Sequence, residues 1–113
     1  MIDVIQVVTT TSSREESDRI ARTLVERRLA ACVQVAGPIE STYHWQGKVE
    51  TSQEWICTVK TRRTHYPEVE DAIRQLHSYE VPEILAFDVT ACSRGYWDWL
   101  RGELADFTGP EIV

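Results

Sequence analysis

Leu29–Trp45, LAACVQVAGPIESTYHW, reads from Cys32 onward as one extended strand, and that strand is too long for the chain that carries it. Gly37-Pro38 interrupts it, which predicts a bulge or bend, because proline cannot donate to a central ladder. Beyond the interruption Ile39, Ser41, Tyr43 and Trp45 share one face by the period of two. Gln46-Gly47 is a tight turn. A third strand returns roughly from Lys48 to Thr61, with Trp55, Cys57 and Val59 on one face.

Outward from this hairpin the pattern completes a small mixed domain. Ile2–Val8 is almost continuously apolar, as in a strand covered on both faces. Thr9–Ser13 reads as a polar turn. Ser13 with Glu16 fits a capping box, and Ser12 with Glu15 fits it one residue earlier. The helix that follows sets Ile20, Ala21, Leu24 and Val25 against Arg22, Glu26 and Arg27. Thr64–His77 is a second helix with the stripe Tyr66, Val69, Ile73 and Leu76, and Pro67 is tolerated in its first turn. Ile84–Thr90 is a fourth strand. Ser93 or Arg94 to Leu104 is a third helix, with Tyr96, Leu100 and Glu103 or Leu104 along one side. Asp106–Val113 is a short strand or a tail. The order βαββαβ plus a helix gives, with right-handed crossovers, an α+β ferredoxin-like antiparallel sheet under two helices, in one domain over 1–113.

The hairpin does not fit inside that domain. A strand of about fourteen residues spans about 46 Å at about 3.3 Å per residue. A domain of this length is only about 30 Å across, for a radius of gyration near 13 Å. The excess must curl back or project, and it carries Tyr43, Trp45 and Trp55. A projecting aromatic edge invites aggregation unless another subunit covers it. The expected solution is a closed homo-oligomer built by strand addition between neighbours.

Composition narrows the function classes. The chain has 113 residues, 42% of them apolar, enough for one core. A domain so small leaves much of its surface unburied, which favours self-association. A net charge of −6 argues against a nucleic-acid partner, since phosphate binding needs clustered Lys and Arg. No apolar run approaches the ~20 residues of a membrane span. Met1-Ile2-Asp3-Val4 enters strand-like sequence at once, so no signal peptide is expected. Cys32, Cys57 and Cys92 are odd in number and lack CxxC spacing. That reads as reduced thiols in the cytoplasm. With no Ser–His–acid motif, Gly-rich phosphate loop or nucleophile elbow, no enzymatic reaction is expected.

Six spaced segments resemble the divalent-cation tolerance family CutA: VVTT at Val7–Thr10, LVERRLAACV at Leu24–Val33, STYHWQGKVE at Ser41–Glu50, the strand from Glu54 to Lys60-Thr61, HSYEVPEI at His77–Ile84, and YWDWL at Tyr96–Leu100. The resemblance covers Val7 to Leu100. It implies a ferredoxin-like subunit, an intertwined homotrimer, a link to tolerance of copper and other divalent metals, and intersubunit clefts like those of the PII signalling proteins. This chain departs from the family pattern at Ser78, where proline usually follows the histidine, and at Gln34, where asparagine is usual.

Two residues are candidate metal ligands. Cys32 follows two alanines at the start of a strand and is either a packed thiol or a soft donor suited to Cu(I). The resemblance adds weight to the donor role and leaves both open, since the matching cysteine is associated with soft metals. His77, at the end of the second helix, is either a helix-end cation or a ligand to a metal or bound anion. His44 is expected to be solvated and His65 exposed. Cys57 is expected in the core. No HxH, HExxH or paired Cys/His spacing exists, so a metal site would assemble across subunits. Glu54, Lys60, Tyr79 and Glu83 are the charged and polar members of the family-like motifs. They form either a structural ion pair or a cleft for a small anionic or zwitterionic ligand. A PII-like ligand-sensing module is the alternative to metal tolerance. One of Trp97 and Trp99 is expected in the core and the other as an interface anchor.

Overall fold

The computed structural model describes residues 2–106. Its elements are β1 (Val4–Thr11), α1 (Arg14–Glu26), β2 (Cys32–Trp45), β3 (Lys48–Arg62), α2 (Tyr66–Leu76), β4 (Leu85–Asp88) and α3 (Arg94–Glu103), with a 3-10 turn at Arg63–His65. The sheet order is β2-β3-β1-β4 and every pairing is antiparallel. This is the ferredoxin-like arrangement expected from the element order.

One face of the sheet carries the main core. Ile5 and Val7 of β1 and Cys57 and Val59 of β3 pack against Ile20 and Leu24 of α1 and Val69, Ala72 and Ile73 of α2. Cys57 is buried as expected; its thiol donates to the Ser17 carbonyl at 3.5 Å, and burial pushes it up from its ordinary pKa. The second face is covered only at one end. There α3 lays Leu100, Leu104 and part of Trp97 against Val4 and Ala31. Trp99 stays exposed on the other side of α3.

The hairpin projects. The described chain measures 46 × 28 × 24 Å, and its long axis matches the strand length that the sequence demands. The ladder shifts register between Ala36 and Ile39, at Gly37-Pro38, and then continues to Trp45↔Lys48. Gln46 and Gly47 both have positive φ, at 52° and 81°, as a two-residue I′-type turn requires.

Several boundaries differ from the sequence reading. Thr9, Thr10 and Thr11 belong to β1 and do not form a turn, because β-branched residues suit a strand and their hydroxyls find work at its end. Thr11 Oγ1 donates to the Ser13 carbonyl and lies 2.7 Å from Ser17 Oγ. The fourth strand is only Leu85–Asp88. The second helix begins at Tyr66 after the 3-10 turn and ends at Leu76, leaving His77 extended outside it. His65 is buried, not exposed: the 3-10 turn tucks its ring under the chain leaving α3, where Nε2 donates to the Ala105 carbonyl at 2.8 Å. Burial holds its pKa below the ordinary value. Asp106 is in neither helix nor strand, and the rest of the expected short strand or tail lies outside the described residues.

One polar atom in the core is unpaired. Thr9 Oγ1 is buried without a hydrogen-bond partner among the described residues. Thr9→Val removes that hydroxyl at nearly constant shape. It should raise the unfolding free energy by about 1–2 kcal/mol, the desolvation cost of an unpaired polar group. A denaturant titration checks it, and a destabilised Thr9→Val protein would show that the hydroxyl does find a partner.

Candidate functional site

A connected set of polar side chains gathers where β1 ends, α1 begins and α2 gives way to the segment before β4. Ser13 caps α1, its Oγ accepting from the Glu16 amide at 3.1 Å. The capping box is only half made, because the Glu16 carboxylate turns to Ser78 instead. Its Oε2 accepts from the Ser78 amide and its Oε1 from the Ser78 hydroxyl, each at 2.8 Å. Glu16 is 5% exposed. A carboxylate so buried needs donors of this kind, since an unpaired buried charge is costly.

His77 is inside the same network, its side chain fully buried. Nε2 donates to the Thr10 carbonyl at 2.7 Å, and Nδ1 accepts from the Tyr79 amide at 3.1 Å. A neutral ring protonated at Nε2 satisfies both. Nδ1 also lies 3.3 Å from Glu16 Oε2, so a protonated ring donates to the carboxylate. Tyr79 stacks at a tilt beside His77, centroids 4.8 Å apart, and its hydroxyl donates to Glu54 Oε2 at 2.8 Å. Burial first, and then the Glu54 carboxylate beside it, push the Tyr79 phenol well above its ordinary range, so it remains a donor. Glu54 is 8% exposed.

The structure therefore joins three of the residues that the sequence singles out, His77, Tyr79 and Glu54, within one chain. It does not bring Lys60 to them. Lys60 stands six residues along β3 from Glu54, about 20 Å at the rise of a strand, and no ion pair joins the two among the described residues. Glu83 is exposed in the segment entering β4. Cys32 is half-buried at the start of β2, in register with Lys60, Gln6 and Phe87 in one row across the sheet. Burial first, and then the Cys32 and Cys92 sulfurs, push the Tyr96 phenol of α3 up from its ordinary pKa. Gln6 is four residues along β1 from Thr10, about 13 Å, so Cys32 and His77 do not meet within the chain. Among the described residues no group of three or more His, Cys, Asp or Glu side chains could hold a metal ion.

Glu16, Ser78 and the Thr10 carbonyl escape the sequence reading. Glu16 was readable in principle. It sits one helical period from Ile20 and two from Leu24, so a carboxylate occupies the apolar stripe of α1.

The open face of the sheet is the other candidate surface. Its rows run Cys32–Lys60–Gln6–Phe87 and Gln34–Thr58–Val8–Leu85, followed by Ala36–Ile56–Thr10. Leu85 and Phe87 are 50% and 52% exposed, and every residue of β4 is exposed.

A ferredoxin-like chain with an overlong hairpin, an open sheet face of mixed polarity and a buried His–Glu–Tyr–Glu network defines a narrow class of protein. The chain belongs to the CutA1 divalent ion tolerance family, whose pattern it matches over residues 5–103. It is 43% identical to the divalent-cation tolerance protein CutA of Thermus thermophilus over 95 residues, 84% of this chain and 92% of that one. It is 36% identical to the chloroplastic CutA of Arabidopsis thaliana over 97 residues, 86% of this chain but only 53% of that protein's length. The crystal structure of CutA from Xylella fastidiosa superposes with a TM-score of 0.89 at 36% identity, covering 92% of this chain and all of that one. Among the described residues no helix is long and apolar enough to cross a membrane.

Proposed function

We propose that the chain is one subunit of a cytoplasmic homotrimer that binds divalent or soft metal ions, copper among them, and contributes to metal-ion tolerance. The observation that carries the assembly is the uncovered sheet face with its open β4 edge. Leu85 and Phe87 expose about half their surface there, and Trp45 and Val49 do so on the projecting hairpin. Such a face and edge are stable in water only when covered, and a neighbour's hairpin added beside β4 covers both. Three free thiols suit a reducing compartment. We assign the chain no catalytic reaction and no required cofactor.

Metal binding is the finer part of the proposal. Both nitrogens of His77 are engaged inside the subunit, and Cys32 is far from it. An ion is then shared between subunits, with Cys32 as the soft donor and His77 contributing only if it gives up a bond to Thr10 or Tyr79. The second reading is a PII-like ligand cleft at the same boundary, formed by Glu54, Tyr79 and Glu83 with Lys60. The bond already joining Tyr79 to Glu54 favours it.

Two measurements test these readings. Light scattering at micromolar concentration should return about three times the 13.0 kDa chain mass; a stable monomer removes the assembly. Calorimetric titration with Cu(I), Cu(II) and Zn(II) should show Cys32→Ser losing most Cu(I) binding while the trimer survives. Unchanged stoichiometry, or loss of the trimer, returns Cys32 to core packing. Binding of a metabolite panel without metal favours the cleft.

A further inference from the structure

Residues 78–84 run from the helical layer, at the end of α2, around the end of the sheet to β4. Their two ends are fixed differently. Ile84 packs against the main core. At the other end the fastenings are side-chain bonds alone: Ser78 to Glu16 on α1, the Tyr79 amide to His77, and the Tyr79 hydroxyl to Glu54 on β3. Glu54 shares the open face with Ile56, Thr58 and Lys60, whereas Glu16 lies in the helical layer. Among the described residues, none of the backbone hydrogen bonds outside the helices and strands involves residues 78–84. Between the fastenings Glu80, Val81 and Glu83 are exposed, Val81 by 80%. A segment with few buried apolar contacts and few backbone hydrogen bonds opens at a free energy well below that of the whole fold.

We propose that residues 78–84 are a strap, fastened to one carboxylate on each side of the sheet, Glu16 and Glu54, and that it opens as a unit while the sheet stays folded. The closed strap covers Glu54 with the Tyr79 ring. Opening uncovers that carboxylate on the open face and frees His77 Nδ1 from the Tyr79 amide. The two fastenings are coupled because Ser78 and Tyr79 are adjacent, and because His77 touches both Glu16 and Tyr79. Ser78 supplies two of the bonds, one from its backbone amide and one from its hydroxyl.

Amide hydrogen exchange on the full chain tests this at single residues. Glu16→Ala should speed exchange of the Ser78 and Tyr79 amides at least tenfold, with the Val7 and Val59 amides of the sheet unchanged. Glu16→Gln should stay near wild type, since a glutamine oxygen still accepts from the Ser78 amide and its NH2 donates to the Ser78 hydroxyl. Tyr79→Phe should speed the Ser78 amide severalfold, although it touches only the far fastening. Retained protection of both strap amides in Glu16→Ala overturns the proposal. So does acceleration of Val7 and Val59 in step with them, which makes Glu16 a support of the whole fold. A Ser78 amide indifferent to Tyr79→Phe means two independent contacts and no strap.

Discussion

Gly37→Ala should destabilise the folded chain by about 2–6 kcal/mol, the sum of two separate costs. The first is backbone strain. Gly37 has φ +148°, a region that L side chains rarely adopt, and holding an alanine there costs about 1–3 kcal/mol. The second is overpacking. A Cβ at Gly37 lies 2.7 Å from Trp55 Cδ1 and 3.0 Å from the Glu54 carbonyl oxygen. The carbonyl is backbone in a paired strand and cannot move alone, so the clash adds about 1–3 kcal/mol.

Gly47→Ala separates the two costs. Gly47 also has positive φ, +81°, but a Cβ there meets nothing within 4 Å. It should lose only the strain, about 1–2 kcal/mol. Denaturant midpoints of both variants, at one protein concentration, give the comparison; equal losses would mean that Gly37 is not packed against Trp55. Because Glu54 supplies one of the crowded atoms, Gly37→Ala should also loosen the Tyr79–Glu54 bond. The bulge at Gly37-Pro38 thus has a second role beyond bending β2: it lets that strand pass close over the residues that hold Glu54.

The fold was legible because its determinants are periodic and local. Alternation along Ile39–Trp45 and the turn at Gln46-Gly47 each state an element, and the stripes of α1 and α2 state a buried face as well. Thr9–Thr11 departs from the sequence reading because polar composition suggests a turn, while the hydroxyls of Thr11 and Ser17 make a polar strand end stable inside the fold. His65 was misread for a related reason: a histidine in a polar segment looks solvated until a carbonyl from a distant helix end meets it. The candidate site was legible residue by residue but not in its connections. His77, Tyr79 and Glu54 stand out by type and motif. What joins them is Glu16, which local reading assigns to a helix cap, and Ser78, which is conspicuous only as a departure from the family pattern. Sequence neighbours specify caps; the competing partner 62 residues away is fixed by topology.

Ser78→Pro should cost about 3–6 kcal/mol, although the backbone is already shaped to accept it. His77 is extended, with φ −84° and ψ 140°, the conformation that a residue before proline prefers. The loss therefore comes from Glu16. Proline removes the Ser78 amide hydrogen and the hydroxyl together, and those are both of the donors that Ser78 gives to the buried carboxylate. Each bond to a charged group is worth about 1.5–3 kcal/mol, and a stranded buried acceptor adds its desolvation cost. A double-mutant cycle isolates this. Glu16→Met removes the carboxylate and places an adaptable apolar side chain on the stripe with Ile20 and Leu24. In that background Ser78→Pro should cost less than about 1 kcal/mol, a coupling of at least about 2 kcal/mol between positions 16 and 78. Equal costs in the two backgrounds would refute the pairing. The coupling also bears on position 78, where the family resemblance leads to an expectation of proline. A proline stiffens the segment through its own ring, whereas Ser78 holds it through a bond to α1, and that bond can be made and broken.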